Sequence, residues 1–217
     1  MRRIILAIAA LIILAATPMS YAAGLGLSAK VGTLGAGGDL TLGLNDYFSI
    51  RGQINGMTYE YNRAFDEVSV DADIQLLTYG AMLDMHIFGG GFRISAGALK
   101  NDNKITLVAD PTEPLEIDGV EYNINSFSGG ITFDEVSPYI GIGYGSAAGS
   151  DGRWHFSCDF GVLYQGEPKI TATAVATDSA TQSTLDSVVE SKRKEIEEDI
   201  RNVRWYPVIS LGVSFRF

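Results

Sequence analysis

YPVISLGVSFRF, Tyr206 to Phe217, is the stretch whose reading decides the fold. Taken with period two, Ile209, Leu211, Val213, Phe215 and Phe217 fall on one face. Val208, Ser210, Gly212, Ser214 and Arg216 fall on the other. So apolar a strand at the end of a soluble domain would present an unpaired edge that invites aggregation. A closed barrel in lipid removes that conflict. The apolar face meets acyl chains, the small and charged face meets a lumen, and neighbouring strands satisfy the backbone.

The opposite end agrees with an exported chain. Arg2 and Arg3 precede the apolar run Ile4–Ala16, and TPMSYAA follows with small residues at Ser20 and Ala22. This is the layout of a signal peptide over residues 1–22, cut after Ala22, and thirteen apolar residues are short for a membrane span. Removing Arg2 and Arg3 with it takes the formal charge from −10 to −12. One domain is expected over residues 23–217. So acidic a chain disfavours nucleic acid as a partner. Cys158 is the only cysteine, which excludes an internal disulfide. No cofactor motif is present.

Outward from the terminal strand, the same alternation recurs. Leu25, Leu27, Ala29 and Val31 alternate with Gly26, Ser28, Lys30 and Gly32; Leu40, Leu42 and Leu44 alternate with Asp39, Thr41 and Gly43. Phe48, Ile50 and Ile54 oppose Ser49, Arg51, Gln53 and Asn55. The small polar faces suit a narrow, crowded lumen better than the outside of a soluble sandwich. Eight barrel strands are expected at 24–33, 37–44, 48–61, 68–87, 92–100, 138–146, 153–166 and 205–217. Within 68–87, Asp71, Asp73 and Gln75 are placed inward, then Thr78, Gly80, Met82, Asp84 and His86. That change of parity near Leu76 and Leu77 predicts a β-bulge.

Short turns at 45–47, 88–91 and 147–152 alternate with longer connections at 62–67, 101–137 and 167–204, which sets the long ones outside the cell. The first connection, at 34–37, is a short exception. Asp118-Gly119 predicts a hairpin standing in water rather than two further membrane strands. Leu185, Val188, Val189, Ile196, Ile200 and Val203 recur at helical spacing, with Ser183 as a plausible N-cap, Asp186 in the first turn, and the apolar face packing on the barrel rim. The expected class is all-β: an eight-stranded antiparallel transmembrane barrel with an extracellular helical loop, located in the bacterial outer membrane.

VGTLGAGGDLTLGLNDY (31–47), LEIDGVEYN (115–123), YIGIGYG (139–145), GVLYQGEPKI (161–170), EIEEDIRN (195–202) and the terminal strand together resemble the small outer-membrane barrels of the CarO type. The resemblance implies a porin admitting ornithine and other basic amino acids. It also implies that Phe215 and the terminal Phe217 form the signal read by barrel-insertion machinery. The expected partners are outer-membrane lipid and lipopolysaccharide, that machinery, and small solutes.

Lys30, Asp39, Arg51, Asp84, Arg93, Asp159 and Arg216 are the inward charges. Unpaired ions in a narrow lumen cost several kcal/mol each, so they must pair or stay hydrated. Two readings stay open: a salt-bridged plug, or a charge-lined conduit. Between Asn101 and Ser137 stand eight acids, Glu113, Glu116, Asp118 and Glu121 among them, against Lys104 alone, a net −7. An acidic mouth of this kind concentrates cations. The leading expectation is a passive channel biased toward cations and basic amino acids. The rival is a non-conducting structural or surface-interaction barrel. His155-Phe156-Ser157 carries a base beside a hydroxyl, but it follows a short turn and points inward, so no enzyme is expected. Asp84 and His86 alone do not make a metal site.

Overall fold

The computed structural model describes residues 24–65, 68–87, 90–111, 114–117, 119–145 and 153–217. The expected signal peptide lies outside the described residues. In chain order the elements are β1 (Leu25–Gly32), β2 (Gly35–Gly43), β3 (Phe48–Phe65), β4 (Val68–Met85), β5 (Phe92–Asn101), β6 (Lys104–Pro111), β7 (Leu115–Ile117), β8 (Val120–Tyr122), β9 (Ile124–Thr132), β10 (Val136–Tyr144), β11 (Trp154–Tyr164), β12 (Lys169–Ala176), α1 (Gln182–Ile200) and β13 (Trp205–Arg216). No helix among the described residues is long and apolar enough to cross a membrane.

Eight strands form an antiparallel ring. β4, β3, β2, β1, β13, β11, β10 and β5 pair in that order, and β4 pairs back to β5 to close it. The terminal strand is a seam of this closure, held between β1 and β11 with Ala29 and Phe156 both opposite Val213. Its odd-numbered side chains look outward: Ile209, Leu211 and Val213 are exposed. Val31, Ile54, Leu83, Ile140, Ile142 and Phe160 continue that apolar belt around the barrel. Inward residues are small or polar except in one apolar layer toward the long-loop end, so over most of the wall the period of two separates an apolar outer face from a polar lumen.

The chain's end is tied into the wall. The Phe217 amide donates to the Leu25 carbonyl at 3.0 Å, and its ring meets Phe215 edge-on at 5.3 Å while Phe215 meets Trp154 at 5.0 Å. Phe217 remains 61% exposed. Deleting Phe217 is expected to leave the protein unassembled, without the heat-modifiable gel shift of the parent. A normally shifted variant in the outer membrane would remove the role given to this residue.

β3 and β4 run well past the ring. β4 changes neighbour along its length: Thr78–Met85 pairs with β5, whereas Val68–Gln75 pairs with β6. β6, β9 and β12 then add in turn, so the barrel wall continues into an external five-stranded extension. The predicted bulge at Leu76–Leu77 is absent; β3 and β4 keep one register from Phe48↔Met85 to Phe65↔Val68. The polarity change there marks the strand's exit from the barrel, not a slip. Asp71, Asp73 and Gln75 therefore share the outward parity of Tyr79, and the inward parity continues through Ala72, Ile74 and Leu76.

The Asp-Gly hairpin forms as the small separate sheet β7–β8, outside the ring. α1 packs on the extension and not on the barrel rim. Leu185 is buried with Ile124, Ala174 and Ala176, and Val189, Phe127, Ile117 and Tyr122 pack against them. The N-cap is Thr181, two residues before the expected Ser183, which leaves Asp186 beyond the first turn. β12 is the end strand of the sheet, and α1 covers its open edge. Gln182 accepts from the Ala176 amide at 2.8 Å and donates to the Ala174 carbonyl at 2.9 Å, standing in for a missing strand. Arg193 donates to the Ile170 carbonyl at 3.4 Å. Edge protection of this kind blocks pairing with another chain.

Candidate functional site

The candidate site is the lumen, built from residues at inward positions of all eight strands. Six of the seven predicted charges meet there. Arg51 of β3 is the hub: its Nε and Nη2 lie 3.0 Å from the two oxygens of Asp84, and Nη1 lies 3.3 Å from Asp159 and 3.5 Å from Asp39. Lys30 Nζ reaches Asp39 at 2.7 Å and donates to Gln53 Oε1 at 2.6 Å. Arg93 Nη2 donates to Asp159 at 2.6 Å and its Nε lies 3.9 Å from Asp84. All six are buried. Three cations and three carboxylates cancel, and charge-assisted bonds of this kind are about twice as strong as neutral ones. Ser95 donates to Asp84 at 2.6 Å and Ser210 to Asp159 at 3.3 Å, completing the carboxylates' shells. Arg216 lies at the short-turn end, opposite Gly26 and one inward position beyond buried Ser214.

Toward the long-loop end the lumen turns apolar. Leu34, Met82, Leu99, Tyr139, Leu163 and Val208 form one buried cluster. Arg51 Nη2 lies 3.5 Å from Met82 Sδ, so this layer sits directly on the ionic one. Tyr139 lies against a wall of glycine: Gly141 and Gly161 pair in register, and a Cβ on either would come within 2.3 or 2.4 Å of its hydroxyl. Leu34 comes from the short first loop, which is pinned to β13. Tyr206 Oη donates to the Thr33 carbonyl at 2.6 Å, Thr33 Oγ1 donates to the Pro207 carbonyl at 2.9 Å, and the Ile209 amide donates to Thr33 Oγ1 at 3.1 Å. Beyond the apolar layer, Asn55, Thr78, Asn101, Ser137 and Gln165 are also buried. The lumen is therefore stratified.

Two cavities flank Arg51, each of about 10 Å³. That is close to the least volume that holds one water. At the short-turn end Ser49 Oγ and His86 Nε2 are 3.2 Å apart, and His86 Nδ1 is 3.0 Å from the Gly90 carbonyl. If Nδ1 carries the proton, Nε2 accepts from Ser49, a base and hydroxyl in contact. Both are buried, and neither lines either of the two cavities. His155 and Ser157 lie on the same side of β11, with Ser157 buried in the lumen. Among the described residues no group of three or more His, Cys, Asp or Glu is arranged to hold a metal ion.

The expected acidic mouth is placed differently from the lumen set. Glu116 and Glu121 face one another across β7–β8, while Ile117 and Tyr122 of the same hairpin pack on the extension. Glu113 and Asp118 lie outside the described residues. Two other acids of the segment are ion-paired, Asp102 with Lys100 at 3.2 Å and Asp134 with Lys169 at 2.9 Å.

Two crystal structures share this architecture. Acinetobacter baumannii CarO2 is 24% identical, with 89% of this chain and 98% of that chain covered and a TM-score of 0.59. Acinetobacter baumannii CarO is 22% identical, over 88% of this chain and 97% of that one, with a TM-score of 0.56. A major outer membrane protein from Thermus thermophilus matches at 14% identity and a TM-score of 0.44. No family model and no curated protein matches the chain. At 24% and 22% identity the likeness to the CarO2 and CarO structures establishes the fold alone, an eight-stranded antiparallel β-barrel.

Proposed function

We propose that this chain is an outer-membrane barrel that holds no open pore in the described conformation and makes its specific contacts outside the membrane. The observation that carries the reading is the filled lumen: a charge-neutral set of three cations and three carboxylates under a buried apolar layer. An ion crossing it would have to shed water against that layer and break paired charges, each step costing several kcal/mol. The extension supplies a contact surface. Met57 (51%), Tyr59 (53%), Tyr61 and Ile74 are exposed on the face continuous with the lumen, and contiguous exposed apolar surface marks interaction sites.

A second reading, passive entry of small cations and basic amino acids, has its own support. Arg51 touches three carboxylates at once, so it can give up one without becoming unpaired. Exposed Asp110, Glu116, Glu121 and Glu135 also bias the long-loop side toward cations. Liposome swelling separates the two. Refolded wild-type protein is expected to give no swelling with ornithine, glutamate or glycine. Wild-type swelling that is faster for ornithine than for glutamate, and that weakens as salt rises, would replace the closed barrel with the cation route.

A further inference from the structure

We propose that the barrel's outer wall carries a binding groove for one acyl chain of a membrane lipid, at the long-loop rim between β10, β11 and β13. This rests on the membrane-embedded reading above. The groove is about 380 Å³ and is lined by Pro138, Ile140, Val162, Tyr164 and Trp205. That volume falls within the range of about 300–1,000 Å³ typical of ligand clefts. Its shape follows from residue size. Val162 is the short floor residue, in register with Ile140 on one side and Pro207 on the other. One inward-to-outward repeat further along, Tyr164 pairs with Trp205, and their rings meet edge-on at 4.9 Å to form a tall wall.

The occupant follows from what surrounds the groove. It opens from the outward face, and the outward neighbours Ile142, Phe160 and Ile209 are exposed and apolar, continuous with the lipid-facing belt. Water there would find few polar partners, and a void would forfeit the dispersion contacts of its lining. A flexible hydrocarbon chain supplies those contacts. The aromatic wall is already fixed by its own ring pair, so little side-chain freedom is lost on binding. A chain seated here exchanges more slowly than the lipid around the rest of the belt.

The chain has two tryptophans, Trp205 at the groove and Trp154 at the opposite rim, 70% exposed. Trp154→Phe leaves a reporter of the groove, and Trp205→Phe leaves a reporter of ordinary lipid contact. Each variant is refolded into phosphatidylcholine vesicles holding a minor fraction of phosphatidylethanolamine or phosphatidylglycerol with brominated chains. Trp205 fluorescence is expected to be quenched about twofold more than Trp154 at the same low fraction, the mark of preferential association. The two headgroups should act alike, because the chain is what the groove recognises. Val162→Phe in the Trp154→Phe background should fill the groove and bring Trp205 down to the Trp154 level; if it does not insert, Pro138→Phe fills the groove from β10. Equal quenching of the two tryptophans, enrichment with one headgroup alone, or undiminished quenching after filling would each overturn the proposal. Failure of Trp154 to respond even in fully brominated vesicles would instead remove the membrane-embedded reading.

Discussion

Arg51→Met is expected to lower the unfolding free energy by about 3–5 kcal/mol, the usual penalty for stranding a buried charge by deleting its partner. Among the described residues Arg51 is the one side chain in contact with Asp39, Asp84 and Asp159 together. Without it Lys30 and Arg93 face three buried carboxylates. The surplus is concentrated on Asp84, whose other cation, Arg93, stands 3.9 Å away. Removing the hub together with its closest anion, as Arg51→Met with Asp84→Asn, restores two cations against two carboxylates. That double variant is therefore expected to be more stable than Arg51→Met alone, although it removes more of the wild-type bonds. Urea unfolding of protein refolded into phospholipid vesicles measures both. A single variant within about 1 kcal/mol of the parent, the worth of an ordinary hydrogen bond, would mean that the lumen is hydrated enough to carry the charges unpaired.

Charge on the outer face should be penalised as severely. Leu211 lies midway along β13, is 49% exposed on the outer face, and stands between Val31 of β1 and Cys158 of β11. Leu211→Arg is expected to cost about 2–4 kcal/mol, the cost of a cation near the bilayer midplane. Its chain neighbour Ser210 points inward and donates one bond to Asp159. Ser210→Ala should cost about 1 kcal/mol, one hydrogen bond. Adjacent residues thus differ severalfold because the strand alternates between two solvents. Equal losses at the two positions in the same unfolding experiment would contradict the assignment of faces.

How much of this was legible depended on whether a residue's environment repeats with period two. All eight barrel strands were, because lipid and lumen impose opposite demands on alternate residues, as in Leu40-Thr41-Leu42. β6, β9 and β12 were not, although KITATAVA (Lys169–Ala176) alternates. Their partners are set by the far half of β4, a pairing that nothing local to Lys104–Pro111 or Ile124–Thr132 announces. The polarity change at Leu76 is a change of neighbour and not a bulge, since pairing with β6 outside the ring alters the residues without altering the register. Within the lumen, parity alone located Lys30, Asp39, Arg51, Asp84, Arg93 and Asp159 on inward faces. It also placed Val208 inward; the same period carried along β5 and β11 puts Leu99 and Leu163 there too, and apolar side chains at inward positions near the long-loop ends are the signal of a closing layer. Leu34 gave none, because its inward turn depends on hydrogen bonds between Thr33 and β13.

The uninterrupted register of β3 and β4 makes the wall and the extension one mechanical part. Eight residues separate Arg51 from Tyr59 along β3, roughly 27 Å of extended chain at about 3.4 Å per residue. No bulge or loop intervenes to act as a hinge. A load placed on Tyr59 or Tyr61 is thus delivered as torque at the far end of a stiff lever, where the strand carries the guanidinium that joins three walls of the barrel.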